Sequence, residues 1–542
     1  MFRYKSHYTY FLIVSLFLFA SCEHPRDTVS TKNELLIYLD TLEQAYEEAC
    51  IQTGMANWNL YSGEAVHNLD AAKAKFAKIF LDSSNKKLIE VWRGKSSALA
   101  DDTLARRLEL WWRCFLGGNI YSDSAIAANE NYLQKKITNF KFSYLGNRIS
   151  LAEIGTRLRV EQNPKQRKNY WLITSQLSDN AQDELVELVK LRNEKAKQLG
   201  FYNYYSLSLF LQQIKEDWLL KTLNNLEEKT RANFQEFIES SKKKLKTKKF
   251  HPWDFDAAVY RWASISDSHF PKDSIFPILH RFHKNIGFKV DSLPIKETIK
   301  DIPFGGLNIG INIPHDSRYL LNPITGKRFY NVAFHEYGHA LHTVHTHIRY
   351  PILKGYEWIP GASCGAYAEG VAELQAEFVN DPEWLRTYTS ASQDDAEKYV
   401  ATRTFGDLYY LRRTLKDFFF EYEMYKNPDQ DLATLEREMY KKYLLVEIDS
   451  TMPHRYASSI WYTMYPCYYQ NYILSKMISA QVYEVIVNKF GSSKISNPEL
   501  SGWIIEHLYA NGEVQEWYER IRNTTGKSLE TGAYLRTLKI MD

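Results

Sequence analysis

The stretch NVAFHEYGHALHTVHTH, Asn331 to His347, holds five histidines and one glutamate. Within it, His335-Glu336-Tyr337-Gly338-His339 fits the pattern H-E-x-x-H. On a helix, residues i and i+4 stand one above the other on a single face. Both imidazoles can then reach one Zn²⁺ at about 2.0–2.1 Å, with the intervening glutamate beside the open coordination position. A zinc site for hydrolysis needs a third protein ligand. Where that ligand lies decides what must pack around this helix.

Two positions compete for the role. His345 lies six residues after His339, and H-E-x-x-H-x-x-G-x-x-H is the metzincin spacing. In that pattern a glycine turns the chain sharply, so that the third histidine comes back to the metal. Here His342 occupies the glycine position. With Ala340, Leu341 and His342 in place the helix should continue. Six residues then set His345 about 120° away from the His339 face. His342, His345 and His347 are expected near the site or on the surface, not as ligands.

The other candidate is a carboxylate on a second helix. GAYAEGVAELQAEF, Gly365 to Phe378, offers Glu369, Glu373 and Glu377 on one face, among Ala, Val and Leu. Like charges at this spacing repel and are costly when buried. A dication beside Glu369 relieves that cost. Glu369 is therefore the expected third ligand, completing a single Zn²⁺ site per chain. Glu373 is expected to accept the N–H of a metal-bound histidine and orient it. Glu357, in the loop-like GYEWIP, is the weaker alternative ligand.

Outward from these helices the period is helical almost everywhere. LLIYLDTLEQAYEEACIQTG carries apolar residues at 35, 36, 39, 42 and 46. DELVELVKLRNEKAKQLG repeats this and stops at Gly200, a suitable C-cap. Further helices are expected over 216–248, 381–426, 430–446, 468–490 and 497–523. One segment differs: GGLNIGINIP, Gly305 to Pro314, alternates with period two and reads as a strand. It suits either a small structural hairpin or an edge strand that lines the site and pairs with an extended peptide. SKKKLKTKKF, Ser241 to Phe250, is expected to be a solvated helix end.

The chain has 542 residues with a formal charge of +3, close to balance, which gives no case for nucleic acid. Aromatic residues make up 15%, suited to a groove that grips extended ligands. The N-terminus reads as an export signal. Arg3 and Lys5 precede an apolar run from Phe11 to Ala20. That run is half the roughly 20 residues a membrane-spanning helix needs. It ends in Phe19-Ala20-Ser21-Cys22, similar to a bacterial lipobox. The expected organisation is a lipoprotein-type signal over 1–21, lipidation at Cys22, a tether over 22–34 and one catalytic domain over 35–542. Such a protein belongs to a bacterial envelope, at the outer membrane or the periplasmic face, held by its lipid anchor. Cys50, Cys114, Cys364 and Cys467 form no disulfide framework. They are expected to be mostly buried thiols, with one disulfide possible.

His335-Glu336-x-x-His339 followed by Glu369-x-x-x-Glu373 resembles the gluzincin arrangement of the angiotensin-converting enzyme (peptidyl-dipeptidase A) family. HEYGHALH also resembles the thimet oligopeptidase and oligoendopeptidase F families. ANWNLYSG (56–63), LVKLRNEKAKQLGFYNYY (188–205) and PCYYQNYILS (466–475) extend the likeness. The resemblance implies an all-α, or mainly α, elongated two-lobed ellipsoid. It would have a deep central groove and a small β element near the zinc site. It implies a monomeric zinc peptidase acting on short unfolded peptides, either as a peptidyl-dipeptidase or as an oligopeptidase. Zinc polarises the scissile carbonyl and lowers the pKa of water toward about 7, and Glu336 is the base. The oxyanion donors fall between Pro453 and Tyr472, where the resemblance points to Tyr465, Tyr472 and His454, with Tyr468 and Tyr469 also candidates. Arg455, Lys476 and Arg318 are candidates to bind the substrate carboxylate.

Overall fold

The computed structural model describes residues 29–65, 68–262, 265–302 and 304–540. The signal segment, Cys22 and most of the tether lie outside these residues. Helices make up most of the rest, and the strands form only two small sheets. The mainly α expectation holds.

The first helix begins at Lys32, inside the stretch expected to be tether, and runs to Ser62. The cause is a capping box. The Thr31 side chain accepts from the Glu34 N–H, and Glu34 Oε2 accepts from the Thr31 N–H at 2.9 Å. This satisfies two amide groups that a helix start would leave orphaned. The Ser175–Gln198 helix ends as expected at Gly200, whose φ is +89°. Two expected helices are broken. The 381–426 helix divides into Pro382–Tyr388 and Gln393–Lys426, because Ser392 and Asp395 form a second capping box. The 497–523 helix divides at residues 510–516, with Gly512 at positive φ. All four described cysteines are free and buried.

The strand expected over 305–314 is present as β4, after β1 (Phe142–Tyr144), β2 (Asn147–Ile149) and β3 (Ile295–Ile299). It spans Gly306–Asn312 and is followed by β5 (Asp316–Leu321). β1 and β2 form a hairpin; β3, β5 and β4 form the second sheet in that order, so β4 is an edge. β5 pairs parallel to β3 and antiparallel to β4, with Leu307 opposite Leu320. Leu307, Ile309 and Ile311 of β4 are buried with Leu320 and with Trp58 of the first helix. The alternate β4 residues, Gly306 and Gly310, face the Gly326–His345 helix. A strand exposes successive side chains on opposite faces, so one face fixes register and the other leaves room for the helix.

Three helices meet behind this sheet. Gly326–His345 packs on Gly365–Phe378, which packs on Tyr469–Phe490. Gly338 makes the first crossing possible: a Cβ there would lie 2.7 Å from Ala372 Cα. Ridge-into-groove packing at ordinary side-chain size holds helix axes 8–10 Å apart. The bare glycine lets this pair approach closely enough for carboxylates on one helix to reach imidazoles on the other.

The segment before Tyr469 is tied down by buried polar groups. Arg192 donates to the carbonyls of Tyr462 at 2.8 Å and Thr463 at 2.6 Å. The LRNE stretch thereby anchors the tyrosine-rich segment. The Cys467 N–H donates to Glu421 Oε1 at 2.8 Å, and burial pushes the Glu421 carboxyl from 4.5 up to about 8. A carboxyl that holds its proton more tightly when folded contributes stability in full below pH 4.5. That contribution declines as pH rises and is gone above the folded pKa. The difference is on the order of 5 kcal/mol. Glu421→Gln should therefore flatten the fall in stability between pH 5 and 8, read from urea midpoints. An unchanged slope would mean that Glu421 is already ionised in the folded chain.

Candidate metal centre

His335 and His339 lie on consecutive turns of the Gly326–His345 helix, as i, i+4 spacing requires. Their Nε2 atoms are 3.2 Å apart. Glu369, from the Gly365–Phe378 helix, places Oε2 at 3.3 Å from His335 Nε2 and 3.9 Å from His339 Nε2. Three ligand atoms around a tetrahedral Zn²⁺ are separated by about 3.3–3.5 Å. The donor set therefore fits a small divalent cation. Among the described residues it is the one group of three or more His, Cys, Asp or Glu side chains converging in this way.

The far nitrogens face carboxylates. His335 Nδ1 lies 3.6 Å from Glu373 Oε2, and His339 Nδ1 lies 3.4 Å from Glu357 Oε1. Such partners fix the ring orientation and raise ligand basicity. Glu373 stands where the sequence placed it. Glu357, considered as an alternative ligand, instead faces the outer nitrogen of His339. Glu373 is itself gripped by Lys476. Burial works to raise its carboxyl, but Lys476 and His335 outweigh burial and hold it near 2. Glu377, the third carboxylate of that face, pairs with Arg403 at 2.9 Å. The stacked glutamates thus each have a cationic or imidazole partner.

Glu336 is buried, 8% exposed, against β4. A Cβ added at Gly306 would sit 2.5 Å from Glu336 Cγ, so the bare backbone of the edge strand makes the space this carboxylate occupies. Burial raises its pKa, and the two imidazoles oppose the shift. That is the direction which brings a carboxylate toward use as a base near neutral pH.

Helix Gly326–His345 continues through His345, as expected. His345 Nδ1 is 2.8 Å from the Leu341 carbonyl, and its ring packs on Phe288 and Tyr509. His342 is wedged by Tyr367 and Tyr509, and burial pushes its pKa well down. His347 lies beyond the helix and is exposed. None belongs to the cluster.

The tyrosine-rich segment divides. Tyr465 packs on Phe304, Trp461 and Tyr468. Tyr472 packs on Trp461 and Tyr468. Neither hydroxyl has a hydrogen-bond partner among the described residues. Burial, then nearby anions including Glu369, raises both pKa values, so both phenols stay protonated as donors. Tyr469 turns away and meets Ser459 at 3.3 Å. His454 is a correction. Its ring contacts Ser178 at 2.8 Å, Asp179 at 3.6 Å and the face of Tyr456, and none of these belongs to the metal cluster. The turn at Tyr456–Ser458 and the short Trp461–Met464 helix break the period between residues 453 and 465, so counting along the chain misplaces this side chain.

Tyr468 is the residue that sequence reasoning underrated. Its hydroxyl donates to Glu369 Oε1 at 2.8 Å, fixing the ligand carboxylate so that Oε2 turns to the imidazoles. Removing such an orienting partner typically costs 10–100-fold in metal affinity or activity. Tyr468→Phe should weaken metal affinity by about that factor, measured by competition with a chromogenic chelator. Unchanged affinity would show that Glu369 needs no such support.

None of the curated proteins matches the chain. Among solved structures it is similar to a putative oligoendopeptidase F, with TM-score 0.68, 14% identity, and coverage of 95% of this chain and 93% of that one. It is also similar to a Pyrococcus furiosus carboxypeptidase, with TM-score 0.62 and 14% identity, covering 92% and 98%. Trypanosoma cruzi metallocarboxypeptidase 1 aligns with TM-score 0.60 and 16% identity, over the same shares. At these identities the likeness is one of fold. Residues 157–267, which end before the metal cluster, match Peptidase family M3.

Proposed function

We propose that this protein is a zinc-dependent peptidase of the gluzincin type, cutting short unfolded peptides. The observation that carries the reading is the convergence of His335 Nε2, His339 Nε2 and Glu369 Oε2, with the Glu336 carboxylate buried between the ligand helix and an edge strand. The likeness of residues 157–267 to Peptidase family M3 supports it. When bound, zinc supplies a Lewis acid for the scissile carbonyl and brings the pKa of water toward about 7.

The chain's own groups do the rest. The outer edge of β4 offers unpaired backbone N–H and C=O groups to an extended peptide. Glu336 takes the proton of the attacking water and delivers it to the leaving amine. A phenol of Tyr465 or Tyr472 donates to the oxygen that gains charge, where a preorganised donor is worth most. Glu373 and Glu357 hold the imidazoles in place, and Tyr468 holds Glu369.

Digestion of a mixed peptide library, followed by mass spectrometry with and without a chelator, tests the reading. Cleavage that stops on chelation and returns with Zn²⁺ is expected. A metal-loaded protein that leaves every peptide intact would overturn it.

A further inference from the structure

The three cations named from the sequence for the substrate carboxylate are all engaged within the protein. Arg318 is bidentate to Asp316 at 2.9 and 2.7 Å. Arg455 donates to Thr174 at 2.6 Å and lies 4.1 Å from the Trp171 ring. Lys476 donates to Glu373, a carboxylate that also faces a metal ligand.

Glu373 divides its two oxygens. Oε2 lies 3.6 Å from His335 Nδ1, and Oε1 accepts from Lys476 Nζ. Among the described residues no other hydrogen bond reaches this carboxylate. Its orientation toward the imidazole is therefore set by the lysine. The two side chains are only 26% (Lys476) and 15% (Glu373) exposed, where an ion without a partner is costly. Neighbouring carboxylates do not compete for the lysine. Glu377 and Asp407 are both taken by Arg403, at 2.9 and 3.0 Å. The ring of Tyr410 stands 5.7 Å from the ammonium.

Helix geometry explains why a lysine makes this contact. Polar contacts from the Gly365–Phe378 helix to the Tyr469–Phe490 helix come in the same chain order on both sides. The Tyr468 hydroxyl donates to Glu369 Oε1 at 2.8 Å, then Lys476 meets Glu373. Beyond the first helix, the Tyr483 hydroxyl donates to Asp381 at 2.9 Å. From Tyr468 to Lys476 the chain rises about 12 Å, but from Glu369 to Glu373 only about 6 Å. A helical side chain leans toward its own N-terminus, and the four-carbon stem of lysine covers the difference. A Cβ at Gly370 would lie 2.7 Å from Ile478 Cγ2, so bare backbone brings the two helices within this reach. Tyr472, one turn before Lys476, stands on the same face.

We propose that Lys476 is a positioning residue of the metal centre. It holds Glu373 Oε1 so that Oε2 stays on the outer nitrogen of His335, and it fixes the register of the helix carrying Tyr472 against the helix carrying Glu369. The lysine thus serves a carboxylate of the protein and not one of the substrate. The proposal rests on the metal centre of the peptidase reading, and its test reads the metal without turnover. A protein that takes up zinc but cuts no peptide would fail the peptidase reading alone.

Zinc affinity is measured by competition with a chromogenic chelator. Lys476→Met should bind Zn²⁺ about 10-fold more weakly, the lower end of the range for orienting partners, because the lysine acts through Glu373. Lys476→Arg keeps a cation on a long stem and should recover most of the loss. Unchanged affinity in Lys476→Met, or an equally weak Lys476→Arg protein, would overturn the proposal. A double-mutant cycle separates positioning from general damage to the fold. Glu373→Gln should weaken binding on its own, and adding Lys476→Met to it should cost nothing more. In that pair no buried ion is left without a partner. A full further loss in the pair would show that Lys476 acts independently of Glu373 and overturn the role, as would Glu373→Gln at wild-type affinity. Visible absorption of the Co²⁺-loaded proteins gives a second readout. The bands should move in Lys476→Met and return in Lys476→Arg, whereas a Lys476→Met spectrum identical to the wild type would overturn an effect on ligand geometry.

Discussion

Replacing Glu336 with Gln should lower peptide hydrolysis by about 10³–10⁴-fold while leaving the metal content at one ion per chain. Glutamine keeps the shape that fits against Gly306 but accepts no proton at neutral pH. General acid–base catalysis by one positioned group contributes about 10²–10⁴-fold, and here one carboxylate serves both transfers, which places the effect at the upper end. The metal is retained because the ligand set is His335, His339 and Glu369. The measurement is kcat/KM on a cleaved peptide, paired with elemental analysis of the same preparation. Full activity in the variant would move the base elsewhere. Loss of the metal would make Glu336 a ligand.

Glu369→Ala should abolish both metal binding and turnover. It removes one of three ligand atoms and leaves a half-buried imidazole, a buried one and the Tyr468 hydroxyl facing a gap. The remaining pair of histidines is a weak site, so the loss should exceed the 10–100-fold typical of orienting partners. A second signature separates this from unfolding. A bound ion at 100 times its dissociation constant stabilises the native state by about 2.7 kcal/mol. The wild type should melt lower on chelation, and the variant should show no such shift. Stoichiometric metal in the variant would hand the ligand role to Glu357, whose carboxylate stands 3.4 Å from His339.

The parts of the site that lie within one helix were legible in the sequence. His335, Glu336 and His339 follow from the period of the helix, and the same period excluded His345 once His342 replaced the turn-forming glycine. Glu369 and Glu373 were legible because carboxylates stacked among Ala and Leu ask for a cation. What spacing does not encode is which helices cross and where. Glu357 comes from a loop, and Tyr468 reaches Glu369 only because Cys467, at φ +56°, turns the chain just before it. His454 was misplaced for the same reason. The strand over 305–314 showed its period, but β3 and β5 did not. IKETI is short and carries charges on both sides of the pleat, and DSRYLL ends in a run of three buried residues, so neither shows a clean alternation of its own.

The cluster sits mid-chain, yet its support comes from far apart in the sequence. Trp58 backs the strand that faces Glu336. Tyr468 steers a ligand, and the carbonyls of Leu508 and Tyr509 hold Tyr367 on one ligand-bearing helix and Thr346 just past the end of the other. A chain emerging from the ribosome has all three metal ligands once Glu369 is made, but it still lacks their scaffold. Contacts so distant in sequence form late and slowly. Completion of the metal centre therefore waits on segments made after its own ligands.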